Sequence, residues 1–300
     1  MNKKRRILII DPANSPKSIQ SNPDWRLLLA CSFRHVPMAR EALSQGANVN
    51  CRRFDYLTPL HIAVQHNDTE LIQLLCNQPS INTEARVIDG LTPLHKATFL
   101  GHKNAIEELL KNNVVINCID NLGRYPLHYA ALHKDTESAS LLLKNGANVN
   151  VYDDFHESPL YTSVIRRPFL PMIDLLLSHG ATVTSGPNQI SLCLLLEATL
   201  SARSASDIEI LDLLFRKGAD VNTTDLIGLR TPLHIAAMTG NSEVIVYLIV
   251  KGADLNGKTR AGHTPMDIAL MYRNFEAAQL IDLLSKEVKI HRTSSIINFD

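Results

Sequence analysis

Thr58-Pro59-Leu60-His61 returns along the chain as Thr92-Pro93-Leu94-His95, Tyr125-Pro126-Leu127-His128, Ser158-Pro159-Leu160-Tyr161, Thr231-Pro232-Leu233-His234 and Thr264-Pro265-Met266-Asp267. The starts are 34, 33, 33, 73 and 33 residues apart, and the long interval has room for one further, divergent unit near Ser191. A second motif keeps step with the first: Gly46-Ala47-Asn48-Val49-Asn50, Gly146-Ala147-Asn148-Val149-Asn150, Gly180-Ala181-Thr182-Val183-Thr184, Gly218-Ala219-Asp220-Val221-Asn222 and Gly252-Ala253-Asp254-Leu255-Asn256. The residue types explain the pattern. Thr58 can cap a helix, and Pro59 suits the first helical position, where its missing N–H is of no consequence. Ala63, Ala97, Ala130, Ala236 and Ala269 fall on that short helix and let a neighbouring helix approach closely. A second helix carries the apolar bulk, as in Leu71-Ile72-Gln73-Leu74-Leu75 and Val244-Ile245-Val246-Tyr247-Leu248. A glycine in the left-handed conformation then ends it.

With both motifs in register, the chain resembles the ankyrin-repeat family, whose period is 33 residues with a TPLHxA signature. The resemblance spans roughly residues 24–287. It implies an all-α fold, an ankyrin-repeat solenoid of stacked helix-turn-helix units with projecting hairpin loops. About eight units are expected over 23–287, between a flexible N-terminal tail (1–22) and a C-terminal tail (288–300). The first unit lacks the tetrapeptide and places Trp25 where threonine would stand and Cys31 near the usual alanine. Terminal repeats deviate because one face meets water. The sixth unit, about 185–222, diverges most. Extra residues near Ala202–Asp207 separate its helices, and either a longer helix or a protruding finger would accommodate them.

The 300 residues are 45% apolar and 20% charged, enough to bury a core and too apolar for wholesale disorder. Thirty basic residues balance thirty acidic ones, so the basic excess of a dedicated nucleic-acid binder is missing and no direct nucleic-acid partner is expected. No apolar run approaches the ~18–20 residues that span a bilayer. Ile7-Leu8-Ile9-Ile10, cut off by Asp11-Pro12, falls short of the ~7–15-residue core of a signal peptide. The five cysteines are odd in number and contain no CxxC pair, unlike a disulfide framework or a zinc module. The expected location is therefore the cytoplasm, or the nucleus if Lys3, Lys4, Arg5 and Arg6 act as an import signal. The protein is expected to be monomeric by itself.

Four motifs suggest chemistry. His61, His95, His128 and His234 recur with the repeat, but stacked helices are about 8–10 Å apart, too far to share a metal bound at about 2.0–2.1 Å. Hydrogen bonding to each unit's own threonine and backbone is expected instead, and no metal or cofactor. Gly252-Ala253-Asp254-Leu255-Asn256-Gly257-Lys258-Thr259 matches the phosphate-binding pattern GxxxxGK[ST]. Its setting opposes that reading: the segment follows a helix rather than a strand, and the next helix starts five residues too late. There is no GxSxG elbow and no HExxH, so no catalytic residue is assigned. Asn50, Asn150, Asn222 and Asn256 end the loops. The resemblance implies that such asparagines can be substrates of an intracellular asparaginyl hydroxylase, against a simpler role in stabilising the loop.

What remains is a surface. The resemblance places partner contacts just before the tetrapeptide and at the end of the first helix, on a long concave face. Carried over, the first set contains Phe54, Leu57, Leu91, Leu122, Arg124, Phe155 and Arg230, and the second Phe99, Leu100, Leu132, His133, Met238, Met271 and Tyr272. Apolar side chains where a scaffold could be polar are typical of a protein-binding site. The expected function is a non-enzymatic scaffold or adaptor that binds a protein or peptide. The alternatives are a substrate-recognition subunit of a ubiquitin ligase and, weakest, a nucleotide-binding protein using 252–259. Ligase receptors of this resemblance carry a terminal box with a Leu-Cys-Arg-like helix, and no such motif follows Glu287.

Overall fold

A computed structural model describes residues 22–183 and 194–296, with side chains to Lys286. Within these residues every element is helical. The chain divides into two compact units, to Asn148 and from Val149. The first holds four helix pairs: α1 (Pro23–Ser32) with α2 (Val36–Ser44), α3 (Pro59–Gln65) with α4 (Thr69–Cys76), α5 (Pro93–Phe99) with α6 (Lys103–Lys111), and α7 (Pro126–His133) with α8 (Thr136–Lys144).

The tetrapeptide does what its chemistry dictates. Thr58 accepts from the backbone N–H of His61, and Pro59 fills the first helical position. His61 Nε2 lies 3.2 Å from the carbonyl of Leu91 in the next repeat. A carbonyl has no proton to give, so Nε2 carries the hydrogen and the bare Nδ1 accepts from the Thr58 hydroxyl at 2.8 Å. His95 repeats the arrangement, with the Thr92 hydroxyl at 3.0 Å and the Arg124 carbonyl at 2.9 Å. Each histidine thus caps its own helix and fastens it to the next repeat. Both ring nitrogens of each are used in hydrogen bonds, and among the described residues no group of three metal-ligating side chains comes together. Of the second helices, α4 and α8 are capped by Asp68 and Asp135. The buried apolar residues of the second helices include Leu71, Ile72 and Leu75 on α4 and Ile106 and Leu109 on α6.

The first helix departs from the expected start. The repeat register holds, because the N–H of His35 bonds the Ala30 carbonyl as that of Asp68 bonds Ala63. Yet α1 opens a turn before Trp25, capped by Asn22 and with Pro23 at its first position. A new cap-and-proline pair upstream replaces the missing threonine.

The second unit pairs α9 (Pro159–Tyr161) and its π-helical continuation (Thr162–Arg166) with α10 (Leu170–Ser178), α11 (Leu194–Ser201) with α12 (Ala205–Arg216), α13 (Pro232–Thr239) with α14 (Ser242–Val250), and α15 (Pro265–Met271) with α16 (Phe275–Ile296). The π turn has a simple origin. The N–H of Phe169 bonds the carbonyl six residues back, Ser163, where other repeats reach five. One inserted residue is absorbed as a wider turn, the usual origin of a π-bulge. The extra residues of the sixth unit lengthen a helix: α12 begins at Ala205 and runs for 12 residues, capped by Ser204 and Asp207. The divergent tetrapeptide near Ser191 lies outside the described residues, as do residues 1–21 with the Lys3–Arg6 cluster. α16 continues to Ile296, into the segment expected as the C-terminal tail. No helix of the described residues is long and apolar enough to cross a membrane.

Asparagines tie successive loops together. Asn50 donates to the Ser80 carbonyl at 2.7 Å and accepts from the Asn82 N–H at 2.8 Å. Asn117 does the same to Gly146 and Asn148, at 3.3 and 2.9 Å, and Glu84 holds the equivalent place by accepting from Val115 N–H at 3.1 Å. In the second unit Asn150 bridges to Gly180 and Thr182, and Asn222 to Gly252 and Asp254. Asn117→Ala should therefore lower stability by about 1 kcal/mol, the net worth of a pair of exposed bonds. Urea unfolding followed by circular dichroism reads this; an unchanged midpoint would show that the bridges are ornamental.

Candidate functional site

Between one helix pair and the next the chain turns back through a hairpin loop, and in the loops of Asp120, Asp153 and Asp225 an aspartate organises the loop from within. The Asp120 carboxylate accepts from the N–H groups of Leu122 and Arg124 at 2.8 and 2.9 Å, from Arg124 Nε at 2.9 Å and from the Tyr129 hydroxyl at 2.6 Å. Although burial opposes it, these bonds hold the Asp120 carboxyl below its ordinary range. Asp225 plays the same part with the N–H groups of Gly228 and Arg230, both at 2.9 Å, and with Arg230 Nε at 2.7 Å. Two expected contact residues are thereby drawn inward. Arg124 and Arg230 are half-buried clamps on their own loops, and Arg124 also stacks over the Tyr129 ring at 4.7 Å.

Apolar side chains stand at the loop tips. In the first unit these are Phe54, Ile88 and Leu122, with Phe54 78% exposed and Ile88 65%. Arg53 lies beneath Phe54 at 5.5 Å while pairing with Asp55, and Arg52 stands over Tyr56 at 5.9 Å. Between the tips and the ends of α3 and α5 is a groove of about 470 Å³ lined by Asp55, Leu57, Gln65, Val87, Ile88, Asp89, Leu91, Lys96, Phe99 and Leu100. Four expected contact residues, Leu57, Leu91, Phe99 and Leu100, converge there. Phe99 is fixed by edge contacts with Tyr129 at 5.9 Å and His133 at 5.0 Å. His133 is exposed beside it, and Leu132 is half-buried.

Leu57 is buried, 7% exposed, and contributes to the groove from its base rather than from its rim. Ile88, Val87 and Lys96 were missed. Ile88 could have been found, since it stands 34 residues after Phe54, the same period as the tetrapeptides.

In the second unit Phe155 is exposed at the tip of its loop, Met271 and Tyr272 are exposed at the end of α15, and Met238 is half-buried. Leu226 and Ile227 add exposed apolar surface next to Arg230, again outside the expected set. The 252–259 segment leaves α14 as the turn that continues into its hairpin loop, and the next helix opens only at Pro265. Among the described residues no strand precedes it, so the strand–loop–helix setting of a phosphate-binding loop is not formed there, and the nucleotide-binding alternative has no support. The Asn256 side-chain amide makes no hydrogen bond among the described residues and is exposed, its backbone N–H alone donating to Asp254, whereas Asn50, Asn150 and Asn222 use their side-chain amides in the loop bridges.

Paired helices, with Thr-Pro-Leu-His caps recurring at one period and hairpin loops between the pairs, define a helical repeat protein. The ankyrin-repeats family model matches in three copies, over residues 27–120, 104–187 and 198–294, and the chain belongs to the ankyrin-repeat family. It is similar to neurogenic locus notch homolog protein 1 of Xenopus laevis (31% identical over 98 residues, 33% of this chain and 4% of that protein). It is also similar to putative glutaminase 2 of Caenorhabditis elegans (33% over 97 residues, 32% and 16%) and to rabankyrin-5 of Mus musculus (34% over 99 residues, 33% and 8%). The matched stretches thus span only 4 to 16% of the length of these three relatives. Ankyrin repeats are generally protein-interaction modules.

Proposed function

We propose that this chain is a non-enzymatic interaction module that captures a protein or peptide on the face made by its hairpin tips and first-helix ends. The groove between Leu57 and Leu100 is its principal anchor point in the first unit. The observation that carries this reading is the groove itself: Phe99, Leu100 and Ile88 are large, apolar and exposed around a concavity built on rigid helices. A surface with no partner gains nothing from such side chains, while binding energy concentrates in apolar and aromatic anchors of this kind. The expected place of action is the cytoplasm, or the nucleus through the Lys3–Arg6 cluster.

The test is affinity capture with the double variant Phe99→Glu/Leu100→Glu. Val250→Glu serves as control, since Val250 is an apolar residue more exposed than Phe99 or Leu100 but sits at the end of the second helix α14. Partners of the wild type should bind the double variant at least about 30-fold more weakly, the loss of two anchors of about 1 kcal/mol or more each, and bind the control unchanged. Equal capture by all three folded proteins would place the working surface elsewhere.

A further inference from the structure

The groove is not purely apolar. Lys96 projects from α5 into it, half-buried among Leu57, Val87, Leu91 and Phe99. Asp55, one of the two carboxylates lining the groove, is already committed: both its oxygens are held by Arg53, one of them by Nε at 2.9 Å. Lys96 forms no ion pair and no side-chain hydrogen bond among the described residues. Burial holds its ammonium below the ordinary lysine range, which Asp55 only partly offsets. Asp89, the other carboxylate at the groove, is exposed on the loop tip and does not pair with it.

This arrangement constrains an occupant. Filling the groove with apolar atoms alone would strip water from an ammonium and leave it unpaired, which is strongly unfavourable. An occupant that seats an apolar side chain against Phe99 and presents a carboxylate to Lys96 satisfies both halves. We propose that the segment captured by this groove is an acidic peptide, with a large apolar residue and an Asp or Glu within one or two positions of it. This inference rests on the groove being the partner site.

Random 12-residue peptides displayed on phage and selected on the full chain provide the test, with Lys96→Met, Lys96→Arg and Phe99→Glu selected in parallel after each is shown to be folded. The expected wild-type pool is enriched in Leu, Ile, Phe or Met flanked by Asp or Glu. Lys96→Arg should keep both preferences. Lys96→Met should keep the apolar preference and lose the acidic one, and Phe99→Glu should lose the pool. For one selected peptide, changing its acidic residue to the amide should weaken binding roughly tenfold on wild type, as for a partly desolvated pair, and hardly at all on Lys96→Met. An apolar preference without acidic residues, or an acidic preference surviving in Lys96→Met, overturns the assignment of Lys96 while leaving the groove as the site. A pool indifferent to Phe99→Glu, or no pool at all, overturns both.

Discussion

Moving this protein from pH 7 to pH 5 is expected to weaken the unit 22–148 by about 4 kcal/mol, through two histidines. His61 and His95 are fully buried, each with both ring nitrogens bonded in the neutral form. Burial, the largest cause, brings each folded pKa down from 6.5 to about 4. The unfolded chain takes up these protons near pH 6.5 and the folded chain does not until about pH 4, so in that window the unfolded state binds more protons and stability falls with pH. By pH 5 each histidine contributes about 2 kcal/mol of the loss. The full contribution is present above pH 6.5. The depressed carboxyl of Asp120 acts in a different window, losing its contribution only as pH falls below its unfolded value of 3.8. Urea unfolding at the two pH values measures the change, and an NMR titration of the imidazole resonances isolates its source. Signals of His61 and His95 that stay unshifted down to pH 5 are expected; titration near pH 6.5 in the folded protein would contradict the account.

Gly90→Ala is the second large effect, expected at about 3 kcal/mol. Gly90 has φ +77°, a conformation that disfavours an alanine by about 1–2 kcal/mol. An added Cβ would also fall 2.6 Å from the backbone nitrogen of Asn121, in the hairpin of the next repeat. That hairpin is held by Asn121 N–H to the Asp89 carbonyl at 3.3 Å and by Asn121 Nδ2 to the Ile88 carbonyl at 2.9 Å, and both must give way. Their loss adds roughly 0.5–1.5 kcal/mol each. Gly146→Ala provides the comparison: φ is also positive, at +95°, but nothing lies within 4 Å of its Cβ position, so only the backbone effect of about 1–2 kcal/mol is expected. Thermal melts of the two variants check the difference. Equal destabilisation would mean that the loops are not in register across the two repeats. Because Val87, Ile88, Asp89 and Leu91 line the groove, Gly90→Ala should also weaken capture of a partner.

The fold was legible because capping, proline placement and glycine stops repeat with one period, and each repeat reports the same local chemistry. The departures arise where local chemistry was replaced rather than lost. Asn22-Pro23 starts α1 a turn early, and the extra residue near Phe169 widens a helix instead of lengthening a loop. The site was legible in part. A position in the repeat says where a backbone lies, so Phe99 and Leu100 could be located at the end of the first helix. It does not say which way a side chain turns. Leu57 points inward, and Arg124 and Arg230 are drawn onto Asp120 and Asp225, because a buried carboxylate attracts the nearest guanidinium more strongly than water does. Asn117 was invisible to the Gly-Ala-x-x-Asn motif, since Val114-Val115-Ile116 precede it, although its amide makes the same bridge as Asn50.

The most direct test of the groove as the working surface is site-specific photo-crosslinking in cell extract. A benzophenone amino acid is placed at position 88 or 99 in the groove, or at position 250 on the second helix of its pair. The account predicts that 88 and 99 crosslink the same protein partner and that 250 does not. A partner crosslinked from 250 and from neither groove position would contradict it.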